Sequence, residues 1–260
     1  MKAEILKILK KEKDYVSGQE LCESLGVSRT AVWKAIRQLE EQGYVIEAVR
    51  NKGYRLVEEA DVLTVAELHS VLDTKWLGKE LEYYYETDST NNRARDAAEK
   101  GASHGFLAVA DCQTAGKGRR GRVWNSPHGT DIYMSFVLRP TFTPSQASML
   151  TLVAGMAVVK GVQKATGLSA MIKWPNDAVV NGKKICGILT EMSTEEDAIR
   201  YVVPGIGINV NATEFPEEIR DKATSLKLEL GRSVKRHDCA IGRRADSFPR
   251  AARDIDALMG

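Results

Sequence analysis

Asn181-Gly182 stands between two apolar runs, Val179-Val180 and Ile185–Leu189, and this dipeptide constrains the fold more than any other feature of the chain. Asn-Gly suits the two positive-φ positions of a tight hairpin turn, so the flanking runs are expected to pair antiparallel. Other strand-like runs are Leu81–Tyr85, Phe106–Ala110, Ile132–Leu138, Met171–Trp174 and Tyr201–Ile208. Helical periodicity is clear over about 91–100, closed by Gly101, and over 148–166, where Leu150, Val153, Ala154, Ala157 and Val158 give a broad apolar face. Hairpins outnumber helical crossovers, so the sheet is expected to be mixed or largely antiparallel. No G-x-G-x-x-G opens a helix, which argues against a Rossmann domain.

The first sixty residues read differently. Ile5, Leu6, Ile8 and Leu9 lie among lysines in a short amphipathic helix over 2–11. Ser17-Gly18-Gln19-Glu20 is a capping box, and Gly26 ends the helix that it starts. Ser28 caps a third helix in which Val32, Ala35, Ile36 and Leu39 share one face, leaving Arg29, Thr30, Trp33, Lys34 and Arg37 outward. Two alternating runs, Tyr44–Val49 and Gly53–Val57, flank a tip of Arg50, Asn51 and Lys52. Together these elements predict a winged helix-turn-helix. Eleven Lys/Arg against ten Asp/Glu leave residues 1–60 nearly neutral, so a nucleic-acid footprint must be local: Ser28, Arg29, Thr30, Trp33, Lys34 and Arg37 on the recognition helix, with Arg50 and Lys52 on the wing.

An acidic stretch, 58–61, then precedes Thr64-Val65-Ala66-Glu67, a second capping box. The domains are therefore set at 1–60 and 64–238. A net charge of +2 gives no global sign of a polyanionic partner. Cys22, Cys112, Cys186 and Cys239 are scattered, and the four histidines show no ligand spacing with them, so no fixed metal site is expected and the thiols suit a reducing cytoplasm. No uninterrupted apolar run approaches eighteen residues, and no membrane partner is expected.

Gly116-Lys117-Gly118-Arg119-Arg120-Gly121-Arg122 packs four cations and three glycines into seven residues without an acid. Such a loop suits a polyanion: the charges attract it, and the glycines let backbone N–H groups approach. A grip on single-stranded nucleic acid, or a merely solvated loop, fits the same run equally well. The company it keeps narrows the choice. With Asp88-Ser89-Thr90-Asn91, Lys173-Trp174-Pro175-Asn176-Asp177, Asn181–Ile188 and Gly205-Ile206-Gly207-Ile208-Asn209, the chain resembles the biotin protein ligases, in their repressor-forming branch, over about residues 1–238.

The resemblance implies an α+β chain: a winged helix-turn-helix followed by a mixed-sheet catalytic domain like those of class II aminoacyl-tRNA synthetases and biotin/lipoate ligases. It implies formation of biotinyl-5'-AMP from biotin and ATP with Mg²⁺, then transfer to a lysine of the biotin carboxyl carrier protein of acetyl-CoA carboxylase. A carboxylate is inert toward an amine, so activation is required, and bringing two anions together calls for fixed positive charge. By this resemblance Lys184 and Arg119 are the catalytic candidates. Ser89, Thr90, Asn91 and Gln113 hold the ureido ring; Gly116, Lys117, Gly118, Arg120, Trp124 and Gly187 shape the loop site; Asn176, Asp177 and Asn209 lie near the nucleotide, with Mg²⁺ near Asp177. Gly205 and Gly207 fit either close backbone approach or a tight strand turn. The family's second role implies a homodimer, formed when the adenylate is bound, that represses biotin-synthesis genes at operator DNA. A lipoate-type ligase and a biotin-sensing regulator without transfer activity are the alternatives.

Beyond residue 238 the sequence departs from this pattern. Residues 239–260 form an atypical tail where the relatives continue into a C-terminal β-barrel, and a frameshift or early stop in the coding sequence is the expected origin. A short helix after Pro249, with Ala252, Ile255 and Met259 on one face, is expected within it.

Overall fold

The computed structural model describes residues 1–196 and 198–241. The chain divides into two compact units, Met1–Leu72 and Asp73–Gly260; the expected tail helix lies outside the described residues.

In the first unit, α1 (Lys2–Lys11), α2 (Gly18–Leu25) and α3 (Arg29–Glu41) precede a two-stranded hairpin of β1 (Val45–Val49) and β2 (Gly53–Glu58). The caps read from sequence form: Ser17 Oγ accepts from Glu20 N at 3.0 Å, and Ser28 Oγ accepts from Ala31 N at 3.3 Å. Gly26 closes α2 in the left-handed region. Leu6, Leu21, Ala35, Leu39 and their neighbours fuse into one core.

The boundary differs from the sequence expectation. Helix α4 (Val65–Val71), assigned there to the second domain, belongs to the first unit. The reason is part packing, with Val62 and Ala66 lying against the first unit's core, and part electrostatic. Glu67 is fully buried, where its carboxylate pairs with Lys10 and accepts from the Tyr44 hydroxyl, and an ion desolvated this far needs both partners. The carboxylate and burial together push the Tyr44 phenol far above its ordinary pKa, burial being the larger cause.

The second unit is built on a seven-stranded sheet: β3 (Leu81–Tyr84), β4 (Leu107–Ala110), β5 (Ile132–Phe136), β6 (Met171–Lys173), β7 (Asp177–Val180), β8 (Lys183–Glu195) and β9 (Ala198–Ile208), in the order β3-β4-β5-β9-β8-β7-β6. Only β3 and β4 run parallel. Asn181 (φ 50°) and Gly182 (φ 78°) make the expected turn between β7 and β8. The β8–β9 hairpin is longer than its apolar stretch announces, because the polar residues Thr190–Glu195 continue the ladder. Helix α5 (Thr90–Glu99) packs through Ala94 and Ala98 on Ala108, Tyr201 and Val203.

Helix α6 (Ser148–Thr166) contacts β6, β7 and β8. With the turn before it, α6 is long and apolar enough to cross a bilayer by length and composition, but its Leu150, Ala154, Ala157, Val158 and Val162 are buried in the protein. Two short helices follow the sheet, α7 (Leu226–Leu230) and α8 (Arg236–Ile241). Arg236 anchors α8, with its guanidinium 2.7 Å from Asp111 Oδ1 just beyond β4.

Removing Glu67 takes the acceptor from the buried Tyr44 hydroxyl and leaves Lys10 only its pairing with Glu59 at 3.3 Å. Glu67→Ala is expected to destabilise the first unit by about 1–3 kcal/mol, read from the urea midpoint, whereas Glu67→Gln, which keeps an acceptor for the Tyr44 hydroxyl, costs less.

Candidate functional site: a glycine floor between a polar cavity and a cationic groove

Three glycines in adjacent strands make the floor. Gly187 of β8 lies directly opposite Gly207 of β9, and Gly205 opposite Leu189. Both glycines of β9 are paired within the ladder to β8, so a tight strand turn is not their explanation. A Cβ at Gly205 would stand 1.8 Å from Asn91 Oδ1. One at Gly207 would meet the Trp124 indole at 2.5 Å, and one at Gly187 would meet it at 2.7 Å. Side chains thus lie against strand backbone that any larger residue would cover.

Over this floor a polar network fixes the start of α5. Asp88 accepts from Ser89 N at 2.7 Å and from Asn92 Nδ2 at 2.7 Å. Burial works to raise the Asp88 pKa, but these donors and nearby Arg93 outweigh it and hold the carboxyl below its ordinary value. Gln113 Oε1 accepts from Thr90 N at 2.8 Å, while its Nε2 donates to Ser126 Oγ at 2.9 Å. Asn91 donates to Glu191 at 2.7 Å and accepts from Ser135 Oγ at 2.7 Å.

Ser126, Ser135 and Glu191 were missed in the sequence reading. Ser135 had a signal, being the one hydroxyl between Met134 and Phe136 in a strand whose five residues are all buried. Glu191 had none, since its place depends on the register of β8.

The Gly116–Arg122 loop folds back on itself as an irregular hairpin. Trp124 N donates to Gly116 O at 2.9 Å, Gly118 N donates to Arg122 O at 2.7 Å, and Arg120 (φ 58°) turns the corner. Lys117 Nζ reaches Asn92 Oδ1 at 2.6 Å, and Arg119 donates to Asn176 Oδ1 at 3.0 Å. Gly116 packs against the returning strand, where a Cβ would be 2.3 Å from Trp124 O. The loop is therefore laid across the site with its cations in place.

Eleven of the residues expected at the site line a cavity of about 50 Å³: Ser89, Thr90, Asn91 and Gln113 from one side, Lys117, Gly118, Arg119 and Trp124 from the loop, and Asn176, Lys184 and Gly187 from the sheet. The cavity opens beside a groove of about 1150 Å³ that shares Arg119, Trp124, Asn176 and Lys184 and adds Arg120, Asp177 and Asn209. Arg122, Lys173 and Lys222 make the groove strongly cationic.

Lys184 stands at the junction. Its Nζ lies 2.6 Å from Asp177 Oδ1 and 5.3 Å from the centroid of the Trp124 ring. Its backbone is clamped on both sides, donating to Lys222 O at 2.8 Å and accepting from Thr224 N at 2.9 Å. Asn209 is buried and donates to Thr224 O at 3.0 Å, which supports this clamp. Asp131 also lines the groove, where its carboxylate accepts from Val210 N at 2.7 Å; burial raises its pKa despite that donor.

In the first unit Ser28, Arg29, Thr30, Trp33, Lys34 and Arg37 are all exposed, as are Arg50 and Lys52. Arg29 donates to Gln19 at 3.0 Å. Arg37 stacks on Trp33 at 5.6 Å and pairs with Glu40 at 3.2 Å. Lys52 lies over Tyr15 at 5.5 Å.

A mixed sheet carrying a small polar-lined cavity that opens on a cationic groove suits a protein-acylating ligase domain, here joined to a helix-turn-helix unit. Comparisons agree on both parts. The Biotin/lipoate A/B protein ligase family matches residues 83–209 and an HTH domain matches residues 2–55. The bifunctional ligase/repressor BirA of Bacillus subtilis is 47% identical over 225 residues, 86% of this chain and 69% of that protein. The Escherichia coli protein of the same name is 32% identical over 227 residues, 87% of this chain and 69% of its own length. Biotin protein ligase from Aquifex aeolicus, solved in complex with biotin and ATP, superposes with a TM-score of 0.58 at 35% identity, covering 70% of this chain and 72% of that one. The chain belongs to the family of bifunctional biotin protein ligase/repressors.

The fit of Asn91 over Gly205 is directly testable. Gly205→Ala is expected to displace the Asn91 amide from its buried partners and to cost about 1–3 kcal/mol in chemical denaturation. In an Asn91→Ala background the same change should cost much less, and equal costs would show that the contact is not the cause.

Proposed function

We propose that the polar cavity takes the ureido ring of biotin, that the groove takes ATP, and that the carboxylate of one meets the α-phosphate of the other beside Lys184. The observation that carries this reading is the convergence of Arg119, Asn176 and Lys184 where the two spaces join, with Asp177 against Lys184 on the groove side. In the first step a biotin carboxylate oxygen attacks the α-phosphorus and pyrophosphate leaves. In the second, the neutral amine of an acceptor lysine attacks the acyl carbon, AMP leaves, and the proton lost by the nitrogen passes to solvent.

Neither step needs a strong base at the start. Both need charge stabilisation, which Lys184 supplies as a movable point charge and Arg119 as a fixed planar fork. Ser89, Thr90, Asn91 and Gln113 give specificity, because an analogue without the ureido group leaves buried donors unpaired. Mg²⁺ accompanies ATP, and Asp177 is the carboxylate nearest these cations. Since Asp177 Oδ1 is 2.6 Å from Lys184 Nζ, a cation there requires Lys184 to turn toward the phosphates.

A cavity of about 50 Å³ is far below the roughly 300–1,000 Å³ of ordinary small-molecule sites. Biotin therefore enters only as the Trp124 indole withdraws from Gly187 and Gly207, and the displaced indole is then available to cover the adenylate. The acceptor is the biotin carboxyl carrier protein of acetyl-CoA carboxylase, which together with ATP places the reaction in the cytoplasm. Loop ordering around the adenylate favours a homodimer, which brings two winged helices to a palindromic operator of biotin-synthesis genes. A lipoate-type ligase explains neither the helix-turn-helix unit nor the full Gly116–Arg122 run. A sensor without transfer activity is separated from a ligase by turnover on the carrier domain.

Lys184→Ala should lower pyrophosphate release in the presence of biotin and ATP on the order of 10²-fold while leaving biotin binding within a few-fold; an unchanged rate would remove Lys184 from the chemistry. For the DNA role, protection of two half-sites in a biotin-operon promoter is expected to strengthen when biotin and ATP are both present. Lys34→Ala should reduce the log–log salt slope of operator binding by about one, as each phosphate contact contributes roughly −0.9. Absence of protection with and without ligands would leave the winged helix without this role.

A further inference from the structure

Just beyond the parallel edge pair β3–β4, three loops bring together side chains that no part of the ligase or repressor reading uses. Glu86 follows β3, Cys112 follows β4, and His128 ends the return of the Gly116–Arg122 loop. One donor atom from each lies within 4.8 Å of the others. The sequence hid this grouping, because the three residues come from separate loops and show no ligand spacing.

His128 Nε2 is 3.4 Å from Glu86 Oε2, and its Nδ1 is 3.4 Å from Asp111 Oδ2. As a hydrogen bond the first contact is long, and as an exposed ion pair it contributes little. As an edge of a coordination tetrahedron it fits well: nitrogen and oxygen each at about 2.0–2.1 Å from Zn²⁺ stand roughly 3.4 Å apart.

The surroundings have the form that metal-bound imidazoles favour. With Nε2 facing the ligand set, Nδ1 faces the Asp111 carboxylate, which is fixed by Arg236 at 2.7 Å and Gly129 N at 3.0 Å. Such a carboxylate orients the ring and raises its basicity. Tyr85 stacks on the other side of the imidazole at 4.5 Å. Burial first, then Glu86 and Asp111, push the Cys112 thiol above its ordinary pKa, so an ion that binds here must displace a thiol proton.

We propose that Glu86, Cys112 and His128 form a three-ligand site for a borderline-soft divalent ion of the Zn²⁺ class, which fastens the base of the Gly116–Arg122 loop to the ends of β3 and β4. Binding releases the Cys112 thiol proton to solvent and leaves a fourth position for water. Thiolate, imidazole and carboxylate together favour Zn²⁺ over Mg²⁺ or Ca²⁺. Cys112 precedes Gln113, and His128 lies two residues after Ser126, so the ion would hold together the two segments bridged by the Gln113–Ser126 hydrogen bond.

The test is a titration of the full chain with Co²⁺, followed by competition with Zn²⁺. One equivalent of Co²⁺ should give a thiolate-to-cobalt charge-transfer band and the intense visible bands of a tetrahedral ion, and Zn²⁺ should abolish them. Cys112→Ala should remove the charge-transfer band. His128→Ala and Glu86→Gln, both at exposed positions, should weaken binding on the order of 10²-fold, while Cys22→Ala should leave it unchanged. Zn²⁺ should also slow tryptic cleavage at Arg119, Arg120 and Arg122 in the parent chain and not in His128→Ala. A parent chain without the band, or a band that survives Cys112→Ala, would overturn the site. Equal cleavage rates with and without Zn²⁺ would overturn the fastening role.

Discussion

Close approach of side chains to bare strand backbone is the constraint on which the catalytic unit depends. Gly187, Gly205 and Gly207 leave room for the Trp124 ring and the Asn91 amide, and those two groups in turn fix the loop and the start of α5. The helix then carries Ser89 and Thr90 to the cavity, and the loop carries Arg119 to Asn176 at 3.0 Å. Glycine inside a strand normally weakens it. Here the weakness is offset by the long ladder that continues beyond them, since β8 and β9 remain paired from Cys186–Ile208 to Glu195–Ala198.

Much of the fold is legible in the sequence because its signals are local. The Asn181-Gly182 turn, the Ser17 and Ser28 caps and the apolar faces of α3 and α6 each follow from neighbours a few residues away. The domain boundary is less legible for the same reason. Thr64 announces a new helix, but which unit that helix joins is decided in part by Glu67 meeting Lys10 and Tyr44, distant in sequence. The polar end of β8 likewise carries no strand signal of its own and is held by its partner.

The site divides along the same line. Residues in compact motifs, such as Ser89–Asn91 and Gly116–Arg122, are visible in sequence and converge in space. Ser135 and Glu191 become visible only through strand register, and the Glu86–Cys112–His128 grouping only through the parallel pairing of β3 with β4. The glycines of β9 were ambiguous between a turn and close approach; the ladder decides for close approach.

Trp124 adds a consequence for any measured affinity. Its indole N–H is buried without a hydrogen-bond partner, so the side chain is held on the glycine floor by packing and by the Lys184 ammonium 5.3 Å from the ring centroid, and no hydrogen bond is lost when it leaves. In the binding mode proposed here, ligand and indole compete for one surface within the same molecule, and the observed dissociation constant is the intrinsic one divided by the fraction of time the floor is bare. A change in the loop far from any ligand atom can therefore tighten or loosen binding by altering that fraction alone. Affinity in this fold is a property of the empty site as much as of the filled one.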